Sequence, residues 1–160
     1  MFEQERWQES YMQLAIDKAK IGIANGQAPF GSCIVRDSQI IITEHNVVWA
    51  TTDITAHAEI QAIRQACKIL NSIDLSGCTI YSTTEPCPMC FTACHWANID
   101  KIVFGTSIAD AKQAGFSELT ISNEQMQQLG GSNIEIIPDR MRNSCVELFT
   151  LWKDKNNKIY

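Results

Sequence analysis

Thr79-Ile80-Tyr81-Ser82-Thr83-Thr84-Glu85-Pro86-Cys87-Pro88-Met89-Cys90 reads as a strand that runs into the head of a helix. Thr79 to Thr83 are β-branched, aromatic or hydroxyl-bearing residues suited to a pleated, half-buried strand. Pro86 and Pro88 then suit a helix start, where a missing N–H costs little. A helix is predicted from Cys87 to about Ala97, with Cys87 and Cys90 in its first turn. Upstream, His57-Ala58-Glu59 opens another predicted helix, His57 to Leu70. Residues two apart do not face each other inside a helix. His57 and Glu59 can therefore share a site only if the helix begins there and aims its N-terminus at that site. The same holds for Cys87. Two helix N-termini are predicted to converge, and their positive ends favour thiolate over thiol.

Two thiolates and one imidazole are three ligands for zinc. They leave the fourth tetrahedral position open to water, as catalytic zinc requires and structural zinc does not. Zinc lowers the pKa of such a water to roughly 7, and Glu59 is the group placed to move protons. C-x-x-C alone also serves redox pairs and structural zinc knuckles, and His-x-Glu alone is commonly a helix surface. The joint pattern, with a proline before each cysteine, selects hydrolytic zinc. No second C-x-x-C completes a four-cysteine site. Cys94 lies seven residues after Cys87 on the same helical face and is an alternative ligand. Cys33, Cys67, Cys78 and Cys145 lie in apolar patterns and read as small buried hydrophobes.

Length and composition set the class. The 160 residues, 45% hydrophobic and 19% charged, imply one domain over 1–160 with a real core. The formal net charge is −5, and Lys and Arg cluster only at Lys153, Lys155 and Lys158. A grip on a nucleic-acid backbone normally needs a basic patch, so a small-molecule substrate is expected instead. No apolar run reaches the length of a membrane span. Met1 to Arg6 is acidic and polar, without the apolar core of a signal peptide. An odd count of seven cysteines fits a reducing compartment, so a cytoplasmic location is expected.

Outward from the motif, helical spacing of Tyr11, Met12, Ala15, Ile16, Ala19 and Ile23 predicts a first helix over about 3–25, stopped at Asn25-Gly26. Phe30 to Val35 and Ile40 to Thr43 predict an antiparallel hairpin. Glu44 to Ala56 reads as a loop walling a pocket. Asn46 in it offers an amide that can donate and accept along a base edge, or serves simply as a turn residue. The helix from His57 is expected to bury Ile60, Ile63, Ala66, Cys67 and Leu70. Beyond the motif come a strand at Ile102 to Gly105, a short helix at Ile108 to Ala114 and a loop at Gly115 to Leu119. A helix at Asn123 to Leu129, a strand at Asn133 to Ile137 and a last helix from Asp139 to about Lys153 complete the chain. Strands joined through helices run parallel, so an α/β fold is predicted with the site where strand ends meet helix N-termini.

At these residues the sequence resembles the cytidine deaminase-like superfamily of zinc nucleobase deaminases, over nearly the whole chain. The likeness rests on Ala28-Pro29-Phe30-Gly31, Thr55-Ala56-His57-Ala58-Glu59, Glu85-Pro86-Cys87-Pro88-Met89-Cys90, Trp96-Ala97 and Asp110-Ala111. Ala114-Gly115-Phe116 and the ending with Trp152 and Tyr160 bring it closest to bacterial guanine deaminases. The resemblance implies a three-layer α/β/α fold with a mixed five-stranded sheet, strands 4 and 5 parallel. It implies one Zn²⁺ per subunit on His57, Cys87 and Cys90, with Glu59 as proton shuttle and Glu118 as a second proton carrier. Glu118 alternatively is a solvated loop charge. Phe30, Asn46, Ala58 and Tyr160 are the implied substrate-binding residues. The implied reaction is hydrolysis of guanine to xanthine and ammonia, by a homodimer without nucleic-acid or membrane partners. The tail, about 154–160, is implied to exchange between subunits and close the pocket; its alternative is a frayed terminus. Two other readings remain. Ile102-Val103-Phe104-Gly105 resembles tRNA adenosine deaminases as much, and the same chemistry serves tRNA adenosine, guanosine or cytosine. A zinc-bearing interaction module without turnover would need four protein ligands.

Overall fold

A computed structural model describes residues 7–160. Met1 to Arg6, and with them the predicted start of the first helix, lie outside the described residues. The first helix, α1, is Glu9–Ala24, so the expected start near residue 3 is moved: Trp7 and Gln8 precede the helix. The hairpin follows as β1 (Gly31–Arg36) and β2 (Gln39–His45). Its turn is Asp37-Ser38, both at positive φ (50° and 60°), the backbone of a type I′ turn that matches strand twist.

The segment Glu44 to Ala56 is not all loop. Glu44 and His45 extend β2, and Val48–Thr51 form a single-turn helix, α2. Next come α3 (Ala58–Leu70), β3 (Cys78–Thr84), α4 (Pro88–Trp96) and β4 (Lys101–Thr106). The remainder is α5 (Ile108–Ala114), α6 (Asn123–Gly130), β5 (Glu135–Ile137) and α7 (Arg142–Asp154). Of the predicted strand 133–137, only three residues pair. The last helix starts three residues later than expected, because Asp139 and Met141 take positive φ (61° and 51°), which a right-handed helix cannot include.

The sheet runs β2-β1-β3-β4-β5. β1 pairs antiparallel with β2 and β3, while β3/β4 and β4/β5 are parallel. This is the mixed five-stranded sheet expected from the resemblance. Side chains alternate across it as the strand period of two demands. Cys33, Val35, Tyr81 and Val103 face one core with Met12, Ile16 and Ile23 of α1 and Leu148, Phe149 and Trp152 of α7. Ile34, Ile80, Ile102 and Phe104 face the other with Ala62 and Ala66 of α3 and Phe91 and Cys94 of α4. The sheet is thus the middle of three layers.

Close approach of layers is written into two glycines. A Cβ on Gly31 would overlap the Ala15 carbonyl oxygen of α1, and one on Gly105 would overlap Cys145 Sγ of α7. The expected buried face of α3 also shifts. Ala58, Glu59, Ala62 and Ala66 are the buried positions. Ile63, Cys67 and Leu70 pack on its flank, partly buried, and Ile60 is half-buried. Small alanines let the α3 axis lie close to the sheet, and this brings the first turn of α3 over the end of β3.

Candidate active site

Cys87 is the N-cap residue of α4 with Pro88 at the first helical position, and His57 is the N-cap of α3. The His57 side chain bonds no group of its own helix, and that of Cys87 meets only Cys90 three residues on, so the two turn towards each other. His57 Nδ1 lies 3.6 Å from Cys87 Sγ and 3.6 Å from Cys90 Sγ. The ligand atoms of His57, Cys87 and Cys90 all fall within 4.8 Å of one another. Zn–S of about 2.3 Å and Zn–N of about 2.0–2.1 Å at a tetrahedral angle place nitrogen and sulfur about 3.5–3.6 Å apart. The spacing of these three side chains therefore fits zinc. Cys94, the alternative ligand, is fully buried behind the site in the core under α4, and its thiol is pushed up by burial.

The donors are electronically suited to a cation. Cys87 is held down to about 4, first by the bond from Cys90, with His57 adding to it against the opposing effect of burial. Cys90 moves the other way, raised by its bond to Cys87 and by burial, so the first proton leaves Cys87. Burial opposes the charging of His57, but Cys87 and Glu59 leave its pKa above the ordinary value.

Glu59, in the first turn of α3, is 6% exposed. Its Oε1 accepts a hydrogen bond from Ser82 Oγ at 2.9 Å, and its Oε2 lies 3.5 Å from Cys90 Sγ. Burial, then the Cys87 charge, raises its pKa above the usual carboxylate value. A buried carboxylate with a raised pKa and one anchored oxygen is suited to hold and return a proton. Ser82 was not expected from the sequence; it is one hydroxyl in a strand full of them, and its partner is 23 positions away.

Above these groups lies a cavity of about 320 Å³. Ile54, Pro88, Met89, Phe116, Leu119 and Tyr160 supply most of its wall, with His57, Cys87 and Glu118 at the polar side. An inner recess of about 20 Å³ brings Phe30, Glu59, Thr84, Glu85 and Glu118 together with His57 and Cys87. Glu118 is half-buried, and its carboxyl is held at about 7, first by burial and then by the Cys87 charge. Phe30 is edge-on to Phe116 with ring centroids 4.9 Å apart. Ala58 is fully buried as the first residue of α3 and does not line the cavity with its side chain. Its backbone N–H belongs to the first-turn set that has no intrahelical acceptor.

The tail folds onto its own chain. Asn157 Nδ2 donates to the Ile23 carbonyl oxygen at 2.9 Å, and Trp49 Nε1 donates to the Lys158 carbonyl oxygen at 3.1 Å. Tyr160 stands beside His57 with ring centroids 5.8 Å apart, and its hydroxyl accepts from Asn46 Nδ2 at 2.7 Å. Asn46 is fully buried, and its Oδ1 also accepts from the Val48 N–H at 3.1 Å. Nothing local in the sequence marks Trp49 for this contact; only the fold brings it to the tail.

The first part of the chain, residues 5–106, matches the model of the cytidine and deoxycytidylate deaminase zinc-binding region. Guanine deaminase of Bacillus subtilis strain 168 is 40% identical over 117 residues, covering 72% of this chain and 75% of that protein. The tRNA-specific adenosine deaminase of Aquifex aeolicus strain VF5 is 41% identical over 107 residues, 67% of this chain and 70% of that one. Among solved structures, guanine deaminase of Nitrosomonas europaea superposes with a TM-score of 0.85 at 26% identity, over 92% of this chain and 85% of the other. With the ligand spacing fitted to zinc and the buried Glu59 carboxylate beside it, the chain belongs to the cytidine and deoxycytidylate deaminase zinc-binding family and is a zinc-dependent aminohydrolase.

Proposed function

We propose that this deaminase hydrolyses guanine to xanthine and ammonia. The observation that carries the reading is the lining of the cavity. Its wall is largely apolar, includes Tyr160, and holds no Lys or Arg among the described residues. A volume of about 320 Å³ suits a small planar ligand. A folded RNA needs instead cations that follow its backbone. The likeness to the two guanine deaminases supports the same reading. The likeness to tRNA-specific adenosine deaminase supports the second reading, the same hydrolysis on adenosine in tRNA.

His57, Cys87 and Cys90 are the residues that would hold the metal. When bound there, zinc supplies a Lewis acid that brings the pKa of water to about 7. Glu59 takes a proton from the attacking water on Oε2, which the Cys90 thiol vacates once it gives up its proton, while Ser82 keeps Oε1 in place. It delivers that proton to a ring nitrogen as the water oxygen bonds the amine-bearing carbon; the new hydroxyl then gives up its proton, the amine takes it, and the carbon–amine bond breaks to release ammonia and leave a carbonyl. Glu118, at the polar side of the cavity, assists that second transfer. A carboxyl held near 7 exists in both forms at neutral pH, as a two-way proton carrier needs.

The remaining groups position the base. Phe30 and Phe116 offer ring edges and faces. Asn46 is fully buried and lines neither part of the cavity, so it acts on the base through the Tyr160 hydroxyl that it holds. The Tyr160 hydroxyl accepts from Asn46, so its own hydrogen is free to donate. The Ala58 N–H at the head of α3 is a further donor. In this reading residues 1–160 are one deaminase domain, working in purine metabolism as a cytoplasmic homodimer whose tails seal the sites. Among the described residues no helix is long and apolar enough to cross a membrane.

The test is ammonia release by the zinc-loaded protein from guanine, guanosine, cytosine, adenine, adenosine and a tRNA anticodon stem. Release from guanine in preference to the other five is the expected result. Release from the anticodon stem alone would replace the substrate and keep the zinc chemistry.

A further inference from the structure

Glu85 is buried, 8% exposed, two residues before Cys87. Its Oε2 accepts the backbone N–H of Ile108 at 2.9 Å, and its Oε1 accepts that of Asn123 at 2.8 Å. Ile108 is the first residue of α5 and Asn123 the first of α6. One carboxylate therefore closes on the heads of two helices. Its own backbone is fixed as well, since the Glu85 N–H donates to the Thr106 carbonyl oxygen at 2.7 Å. Asn123 Nδ2 adds a bond to the Pro86 carbonyl oxygen at 2.7 Å.

Neither helix lacks a cap of its own. Ser107 with Asp110, and Ser122 with Gln125, form complete capping boxes. These boxes satisfy donors at the N-cap and third positions and leave the first-position N–H groups of Ile108 and Asn123 to Glu85. Helix formation does not call for Glu85. What it adds is tertiary: the two ends of the excursion from Ile108 to Asn123 are held on a single side chain, next to the thiolate turn. Within that excursion lie Phe116, Ser117, Glu118 and Leu119, which wall the cavity. Charge-assisted bonds to helix heads are about twice as strong as neutral ones, and the dipoles of both helices favour the negative charge.

We infer that Glu85 is a positioning residue: it clasps the α5–α6 excursion to the metal-ligand turn and so sets Glu118 and Phe116 against the reacting base. This rests on the reading of Glu118 as a proton carrier, and the test separates the two. Zinc-loaded full-length protein is compared with Glu85→Gln, Glu118→Gln and the double variant. Zinc content, hydrogen exchange over 115–123 and ammonia release from the substrate that the panel identifies are measured. Glutamine keeps one acceptor but turns an N–H against a helix N–H, so one head is released. Exchange over 115–123 should accelerate by about tenfold or more, the worth of a charge-assisted bond. Exchange in α1 and the zinc content should not change. kcat/KM should fall by about tenfold in Glu85→Gln, but by less than about twofold when Glu118→Gln is already present, as coupled residues require.

Unchanged exchange over 115–123 would overturn the clasp. Losses that multiply in the double variant would overturn its action through Glu118. Full activity of Glu118→Gln alone would remove the proton-carrier reading, and exchange would then decide the clasp by itself. Glu85→Asp keeps the charge but gives up the reach to one amide; it carries the same exchange prediction if Glu85→Gln does not yield folded protein.

Discussion

His57, Glu59, Cys87 and Cys90 stand at the heads of two regular helices, whereas Phe116, Glu118, Leu119 and Tyr160 stand on chain with no regular structure. The first group forms the floor of the site and the second its roof. Floor positions follow from the sheet: β3 delivers Cys87 two residues after Glu85, and α3, lying close on alanines, delivers His57. Roof positions follow from side-chain bonds between distant segments, such as Asn46 to Tyr160 and Trp49 to Lys158. The floor carries the chemistry common to the family. The roof decides what reaches it.

The comparison is broken most sharply at Glu59. Glu59→Gln removes the proton carrier while leaving the three metal ligands in place. General acid–base catalysis is worth about 10²–10⁴-fold. kcat should fall by that factor with zinc, measured by metal analysis, still at one per chain. An active Glu59→Gln enzyme would mean that the floor does not work as described, whatever the roof does.

This division also explains what the sequence makes legible. Spacing alone exposes the floor, because His57-Ala58-Glu59 and Cys87-Pro88-Met89-Cys90 are local patterns that a helix head turns into geometry. The parallel pairing of β3, β4 and β5 follows equally from alternation of elements, whereas the mixed five-stranded sheet is legible only through the resemblance. Ser82 and Glu85 are not legible. Each acts through a partner 23 or more positions away, and nothing local distinguishes Ser82 from Thr83 or marks Glu85 as a clasp. The buried face of α3 is misjudged for a related reason. Ala66 is buried as expected, but hydrophobicity also points to isoleucines, whereas close packing on the sheet selects Ala62 and leaves Ile60 half-buried. The start of α7 depends on positive φ at Asp139 and Met141, which residue type alone does not specify.

The roof is tested by removing its outer strip. Deleting 155–160 takes away Tyr160 with its bond to Asn46 and opens the cavity wall. Lids of this kind exclude water and complete the binding surface. KM for the substrate that the panel identifies should rise by about tenfold, with zinc content unchanged and a smaller effect on kcat. Unaltered kinetics would mean that the tail covers the cavity without serving it. Light scattering of the same variant, compared with the full chain, measures whether the tail also holds two subunits together.

The smallest effect is expected where the roof is rooted. Arg142 at the start of α7 meets Asp110 of α5 in a two-pronged pair, Nη1 to Oδ2 at 2.5 Å and Nη2 to Oδ1 at 2.7 Å. Asp110 also accepts from the Ser107 N–H, and its carboxyl is held at about 2, first by the Arg142 bond, against the opposing effect of burial, with Ser107 adding to it. The Arg142 side chain is 39% exposed, so solvent screens the pair, and Asp110→Asn should cost about 1 kcal/mol. In a chain of this size that is a shift of about 2–4 °C in Tm. The sign with pH follows from a depressed native pKa. The stabilisation is whole above the unfolded value of 3.8 and is lost as pH falls through about 2. The Tm gap between wild type and Asp110→Asn should therefore be constant from neutral pH to about 5, shrink below about 4 and close near 2. Acid release of zinc is common to both proteins and cancels in the gap. A gap that stays constant into acid would place the worth of Asp110 in its shape and its bond to Ser107, not in its charge, and the root of the roof would then rest on α5 alone.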